Sequence, residues 1–184
     1  MKYYLLLIFL FIIGCDLSVD STIVEPDNND NNGLEDIMLS IGNLNPDEMK
    51  LAINLTNNIA IAGLGTVGSS LINYLSNNIT KLEKNINCNL SICGISAKDK
   101  NKNRSFSVSD FKWFDDPLEM IKHTRPNIFV ELIGNEKGLS YELIKYALDN
   151  KINVITANKA LLANYGNELF SLADSKNVRL LFEG

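Results

Sequence analysis

At 184 residues, 46% hydrophobic and 21% charged, the chain has material for one globular domain plus an additional segment. Its formal charge of −5 is unevenly spread: residues 14–49 hold nine acids and no base, whereas from Lys50 onward 16 bases face 13 acids. No basic stripe interleaved with aromatics occurs, which excludes a nucleic-acid partner from the expectation. The three cysteines, Cys15, Cys88 and Cys93, make neither a metal-ligand spacing nor an even disulfide framework, so no metal site is expected.

Residues 1–15 read as a signal-peptide-like leader. Lys2 supplies the positive start, and Tyr3 to Ile13 form an apolar run too short to span a bilayer. Ile12-Ile13-Gly14-Cys15 resembles a bacterial lipoprotein box, with isoleucine where leucine is usual, and would make Cys15 a lipidation site. Residues 16–57 are rich in Asp and Asn and poor in apolar side chains, the composition of a solvated acidic tether.

The third segment, 58–184, alternates apolar strands with helical patterns, which predicts a Rossmann-like α/β fold: a parallel sheet with helices on both faces. Its first strand, Ile59 to Ala62, runs into Gly63-Leu64-Gly65-Thr66-Val67-Gly68 and then a helix with Val67, Leu71 and Leu75 on one face, fraying near Asn77-Asn78. Strand, glycine turn and helix together are the context of a dinucleotide-binding fingerprint. Gly63 would permit the turn, Gly65 the approach of a pyrophosphate, and Gly68 close packing of helix on strand. A second strand, Leu90 to Ile95, ends at Ser96, with Cys93 expected as a small buried hydrophobe. An acid near this strand's tip binds the ribose 2′-hydroxyl in NAD sites. Here Ser96, Ala97 and Lys98 occupy the tip, so Lys98 could meet a 2′-phosphate, and the cofactor expected is NADP, with NAD as the alternative.

The aromatics Phe106, Phe111, Trp113 and Phe114 are expected to pack beneath a connection. Pro117 opens a short helix that closes before Arg125-Pro126, with the sole histidine, His123, in its last turn as a surface group. A third strand, Asn127 to Ile133, stops at Gly134. An amphipathic helix over Leu139 to Asn150, a strand over Lys151 to Thr156, a helix around Asn167 to Ser175 and a strand from Val178 complete the pattern. Lys159 falls just past a strand's carboxyl end, where open α/β sheets place their ligands.

Gly63 to Gly68, then Glu131-Leu132-Ile133-Gly134, then Thr156-Ala157-Asn158-Lys159-Ala160-Leu161-Leu162-Ala163 together resemble homoserine dehydrogenase over about Asn58 to Gly184. Asn135 departs from the second glycine frequent in that family. The resemblance implies reversible NAD(P)H-linked conversion of aspartate semialdehyde to homoserine, on the way to threonine, methionine and isoleucine. It implies cofactor contacts at Gly63, Leu64, Gly65, Thr66, Val67 and Gly68, at Ser96 and Lys98 by the adenosine ribose, and at Gly134. Asn158 and Lys159 would lie by the nicotinamide, with Lys159 catalytic. An ammonium there could polarise the aldehyde oxygen as hydride arrives. The family's substrate and dimerisation domain is not represented, so weak or absent NADP binding, no homoserine turnover and no self-association without that domain are expected. The dehydrogenase reading implies a cytoplasmic protein. The alternative is a non-enzymatic lipoprotein, membrane-anchored through Cys15, with a relic Rossmann-like domain.

Overall fold

The computed structural model describes residues 56–86, 88–134 and 138–182. The leader, Cys15, most of the acidic tether and Asn135 lie outside these residues. Strand β1 (Thr56–Ala62) leads into helix α1 (Thr66–Ile86), and β2 (Asn89–Ser96) follows. A short 3-10 turn (Val108–Asp110) precedes β3 (Trp113–Phe114) and α2 (Pro117–Thr124). Next come β4 (Ile128–Glu131), α3 (Leu139–Asp149) and β5 (Asn153–Thr156). Helix α4 (Lys159–Lys176) and β6 (Leu180–Phe182) close the described chain.

All strand pairs are parallel, and the sheet order is β3-β2-β1-β4-β5-β6. The order therefore reverses between β1 and β4, with Ile59 beside Ile128 and Ala62 beside Glu131. Such a reversal opens a crevice at the carboxyl ends of the two central strands. Parallel strands covered on both faces need apolar residues on both, and every residue of β4 is buried. On one face, Leu71, Ile72, Leu75 and Leu82 of α1 pack over Ile59, Ile61, Ile95 and Val130. On the other, Met120 of α2, Leu143 and Ile144 of α3 and Leu169 of α4 cover Ala60, Ala62, Phe129 and Val154. The expected α/β class, with helices on both faces, is present. Among the described residues, no helix is long and apolar enough to cross a membrane.

Three local expectations differ from the structure. Trp113 and Phe114 form a sixth strand beside Ile95 and Ser96. Two residues are too few to show an alternating pattern. Phe106 and Phe111 do pack beneath the connection, edge to face with ring centres 5.7 Å apart. Helix α1 runs through Asn77-Asn78 to Ile86, because Leu82 near its far end is buried and tertiary packing outweighs asparagine's weak helix propensity. Helix α4 starts at Lys159, well before Asn167, because Asn158 caps it. The short helix at Pro117 behaves as expected: Asp116 caps it, and Arg125 ends it in a left-handed conformation with φ 43°.

Candidate functional site

The turn after β1 is built by exclusion. Gly63 has φ +97°, and a Cβ there would collide with the backbone carbonyl of Leu132. Its N–H donates to Ser96 O at 2.9 Å, and Leu132 N–H donates to Ala62 O at 2.7 Å, so the turn is tied to the tips of both β2 and β4. A Cβ on Gly68 would strike the Gly63 carbonyl oxygen, so α1 can start this close to β1 only without a side chain there. Gly65 differs from both. An added Cβ would meet nothing within 4 Å, and the residue is exposed. The chain itself does not require glycine at this position; a ligand approaching the backbone would. The free N–H groups and positive dipole end of α1 suit an anion at that place. Residues 63–68 therefore fit a dinucleotide's pyrophosphate.

Of the other turn residues, Leu64 is buried in the core at 3% exposure and can contribute only backbone, whereas Thr66 is exposed. Val67, expected on the apolar face with Leu71 and Leu75, is instead 41% exposed at the mouth of the turn. At the tip of β2, Ser96 is buried and supports the turn through its carbonyl, while Lys98 stands exposed beyond it. Arg104 organises this corner. Its guanidinium donates to the carbonyls of Asp99 (2.6 Å), Lys102 (3.0 Å) and Lys100 (3.3 Å), and Nε reaches Leu64 O at 3.4 Å. Arg104 and Lys100 also lie over the Trp113 ring, 5.8 and 5.9 Å from its centre. With its donors turned to carbonyls, Arg104 holds the loop while Lys98 faces solvent.

Across the crevice, Glu131 ends β4 with no exposed surface. Its Oε1 accepts from Ile133 N–H at 2.8 Å and Ser140 Oγ at 3.0 Å, and its Oε2 accepts from Thr156 Oγ1 at 2.6 Å. Thr156 Oγ1 in turn accepts the Asn158 N–H at 3.0 Å, and Asn158 Oδ1 accepts from Leu161 N–H at 3.1 Å. Asn158, 5% exposed, is thus the cap of α4, and Lys159 is that helix's first residue, exposed. Gly134, after β4, has φ +74° and open space where a Cβ would be, so its requirement is conformational.

The family model for the homoserine dehydrogenase NAD-binding domain matches residues 63–183, the stretch from the glycine turn past β6. The chain belongs to the homoserine dehydrogenase NAD-binding domain family. It is 34% identical over 126 residues to the homoserine dehydrogenase of Neisseria gonorrhoeae, covering 68% of this chain and 28% of that one. It is 30% identical over 125 residues to the Bacillus subtilis enzyme, 68% of this chain and 29% of the other. In three dimensions it matches crystalline Staphylococcus aureus homoserine dehydrogenase with a TM-score of 0.65 at 35% identity, over 71% of this chain and 33% of that one. A hyperthermophilic archaeal homoserine dehydrogenase in complex with NADPH matches with a TM-score of 0.55 at 26% identity, over 70% and 44% of the two chains. The chain therefore spans under a third of the length of the bacterial relatives it matches.

Within this homoserine dehydrogenase domain, the residues singled out in the sequence fall at one end of the sheet. Gly63 to Gly68 follow β1, Ser96 and Lys98 close β2, Gly134 follows β4, and Asn158 and Lys159 follow β5. Two further candidates have no assigned role in the sequence reading, although Glu131 stands in the Glu131 to Gly134 block that carries the resemblance. Arg104 carries no motif. Glu131 did leave a signal, as the lone charge at the end of an otherwise apolar strand. Cys93 is half-buried, with Sγ 3.3 Å from Ile59 O, and burial pushes its thiol above the ordinary range. His123 is an exposed helix-end group against Phe114. A cavity of about 960 Å³ lies at the opposite, amino ends of the strands, lined by Asn57, Asn127 and Asn153 among others, away from the glycine turn.

Proposed function

We propose that this chain supplies the NADP-binding portion of a homoserine dehydrogenase, within residues 58–184, behind a leader (1–15) and an acidic tether (16–57). The single observation that carries the reading is the exposed Gly65 backbone at the β1/β4 reversal, where the fold itself has no use for a missing side chain. A bound NADPH would supply hydride to the carbonyl carbon of aspartate semialdehyde, giving homoserine.

The chain's own residues divide the remaining work. Residues 63–68 hold the diphosphate through backbone N–H groups. Lys98 favours NADP over NAD, supported by the lack of an acid at the β2 tip and by the exposed lysine just beyond it. Lys159, at the carboxyl side of β5, polarises the aldehyde oxygen and stabilises the charge it gains, an electrostatic role. Such a reductase works where the pyridine-nucleotide pool is, the cytoplasm. The chain spans 28% of the Neisseria relative, and cofactor binding is the property assigned to these residues.

The test is titration of the purified chain with NADPH and NADH, followed by NMR so that weak binding is measurable. Weak but saturable binding of NADPH, weaker still for NADH, is the expected result: the cradle at residues 63–68 narrows the sequence expectation of weak or absent binding to weak binding. A titration that leaves the spectrum unchanged with both would overturn the reading.

A further inference from the structure

We infer that Glu131 is a positioning residue for the nicotinamide half of the site, acting through Thr156 and Asn158 on the turn that presents Lys159. The inference rests on the cofactor reading above and goes beyond it, since that reading gives Glu131 no part.

A carboxylate with no exposed surface is costly to bury, and apolar replacements of such groups are often as stable or more so. Here the carboxylate accepts three hydrogen bonds, one each from the β4–α3 loop, the first turn of α3 and the tip of β5. Among the described residues it forms no ion pair. Its arrangement also has a direction. A carboxylate only accepts, so the Thr156 hydroxyl must donate to it. With its proton committed, Thr156 Oγ1 is left as an acceptor for the Asn158 N–H, and Asn158 Oδ1 as an acceptor for Leu161 N–H. The relay from Glu131 therefore fixes both the β5–α4 turn and the start of α4, where Lys159 sits.

The location assigns the consequence. In a doubly wound sheet each half serves one nucleotide, and the glycine turn and β2 tip belong to the half that takes the adenosine. Glu131, Thr156, Asn158 and Lys159 all belong to β4, β5 and their exits, the other half. Disturbing the relay should weaken contacts to the nicotinamide end and leave the adenosine end alone.

The variants are Glu131→Gln, Thr156→Val and Thr156→Ser in the full 184-residue chain, titrated by NMR with NADPH and with adenosine 2′,5′-bisphosphate. Glutamine keeps the shape but has one acceptor oxygen where three donors converge, and its amide presents donors to donors. Glu131→Gln and Thr156→Val are expected to weaken NADPH about tenfold, the scale of one hydrogen bond to a charged group, and to leave the bisphosphate within about twofold. Thr156→Ser, which restores the hydroxyl, should restore NADPH affinity. Should Glu131→Gln fail to fold, the Thr156 pair decides the matter. Equal losses for both ligands, no loss for NADPH, or no rescue by serine would overturn the role of Glu131 while leaving the cofactor reading intact. A wild-type chain that binds neither ligand would overturn both.

Discussion

Gly65→Ala and Gly68→Ala separate what the ligand needs from what the fold needs. At Gly65 an added methyl meets nothing within 4 Å, and the backbone is not in the left-handed region. Alanine there should be neutral to folding or stabilise by about 0.4–1 kcal/mol through the less flexible unfolded chain. For a domain of this size that is a melting-temperature rise of no more than about 4 °C. The same methyl stands where a diphosphate must approach, so NADPH affinity should fall about tenfold or more, about 1.4 kcal/mol per tenfold. At Gly68 the methyl strikes the carbonyl oxygen of Gly63, a backbone atom of a turn tied to Ser96 through the Gly63 N–H. Overpacking costs about 1–3 kcal/mol, only partly offset by the roughly 1 kcal/mol that alanine gains over glycine in a helix. Gly68→Ala should therefore lower the melting temperature as well as binding. Differential scanning calorimetry paired with NADPH titration reads both quantities. An unstable Gly65→Ala variant, or one that binds NADPH as well as the parent, would refute the reasoning.

Lys98→Glu should reverse the cofactor ratio, weakening NADPH and improving NADH relative to the parent, as competitive titration would show; an unchanged ratio would remove Lys98 from the site. Arg104→Ala removes four donors to backbone carbonyls, including the one to Leu64. It should speed amide exchange across residues 99–104 and cost about 1–2 kcal/mol in a denaturant melt, discounted for partial exposure. Tyr141→Phe tests an exposed pair whose hydroxyl lies 2.6 Å from Glu168. That hydrogen bond, with Lys145 also contributing, holds the Glu168 carboxyl below its ordinary range. A lowered folded-state value stabilises at neutral pH and is lost as pH falls through it, so the parent should exceed Tyr141→Phe in stability near neutrality. The two should converge as pH falls through and below the lowered folded-state value of Glu168, read from melts across pH.

The order of elements was legible in the sequence because buried parallel strands are long apolar runs, and the glycine spacing announced the first turn. Short or polar features were not. The two-residue strand at Trp113 exists only through its pairing with Ile95 and Ser96, which no local pattern encodes. The start of α4 depends on a cap, Asn158, whose own backbone is held by Thr156. Val67 looked like a core position by helical period, yet the helix begins so close to the turn that its first residues project past the sheet's end. Glu131 entered the sequence reading only as part of a family block, because its three donors come from segments as far apart as Thr156. Sequence periodicity carries information along an element; these features depend on what meets across elements.

Gly63 has one further consequence. Its amide is bonded to the end of β2 while the backbone of Leu132 leaves no room for a Cβ on it, so this one residue fits between the two halves of the sheet only as glycine. Glycine-rich stretches are commonly pictured as supple, but here two of the three glycines answer to close backbone neighbours, and only Gly65 has room for a side chain. The seam between β1 and β4 is thereby pinned at the base of the phosphate cradle, apart from the relay that runs from Glu131 through Thr156 to Asn158.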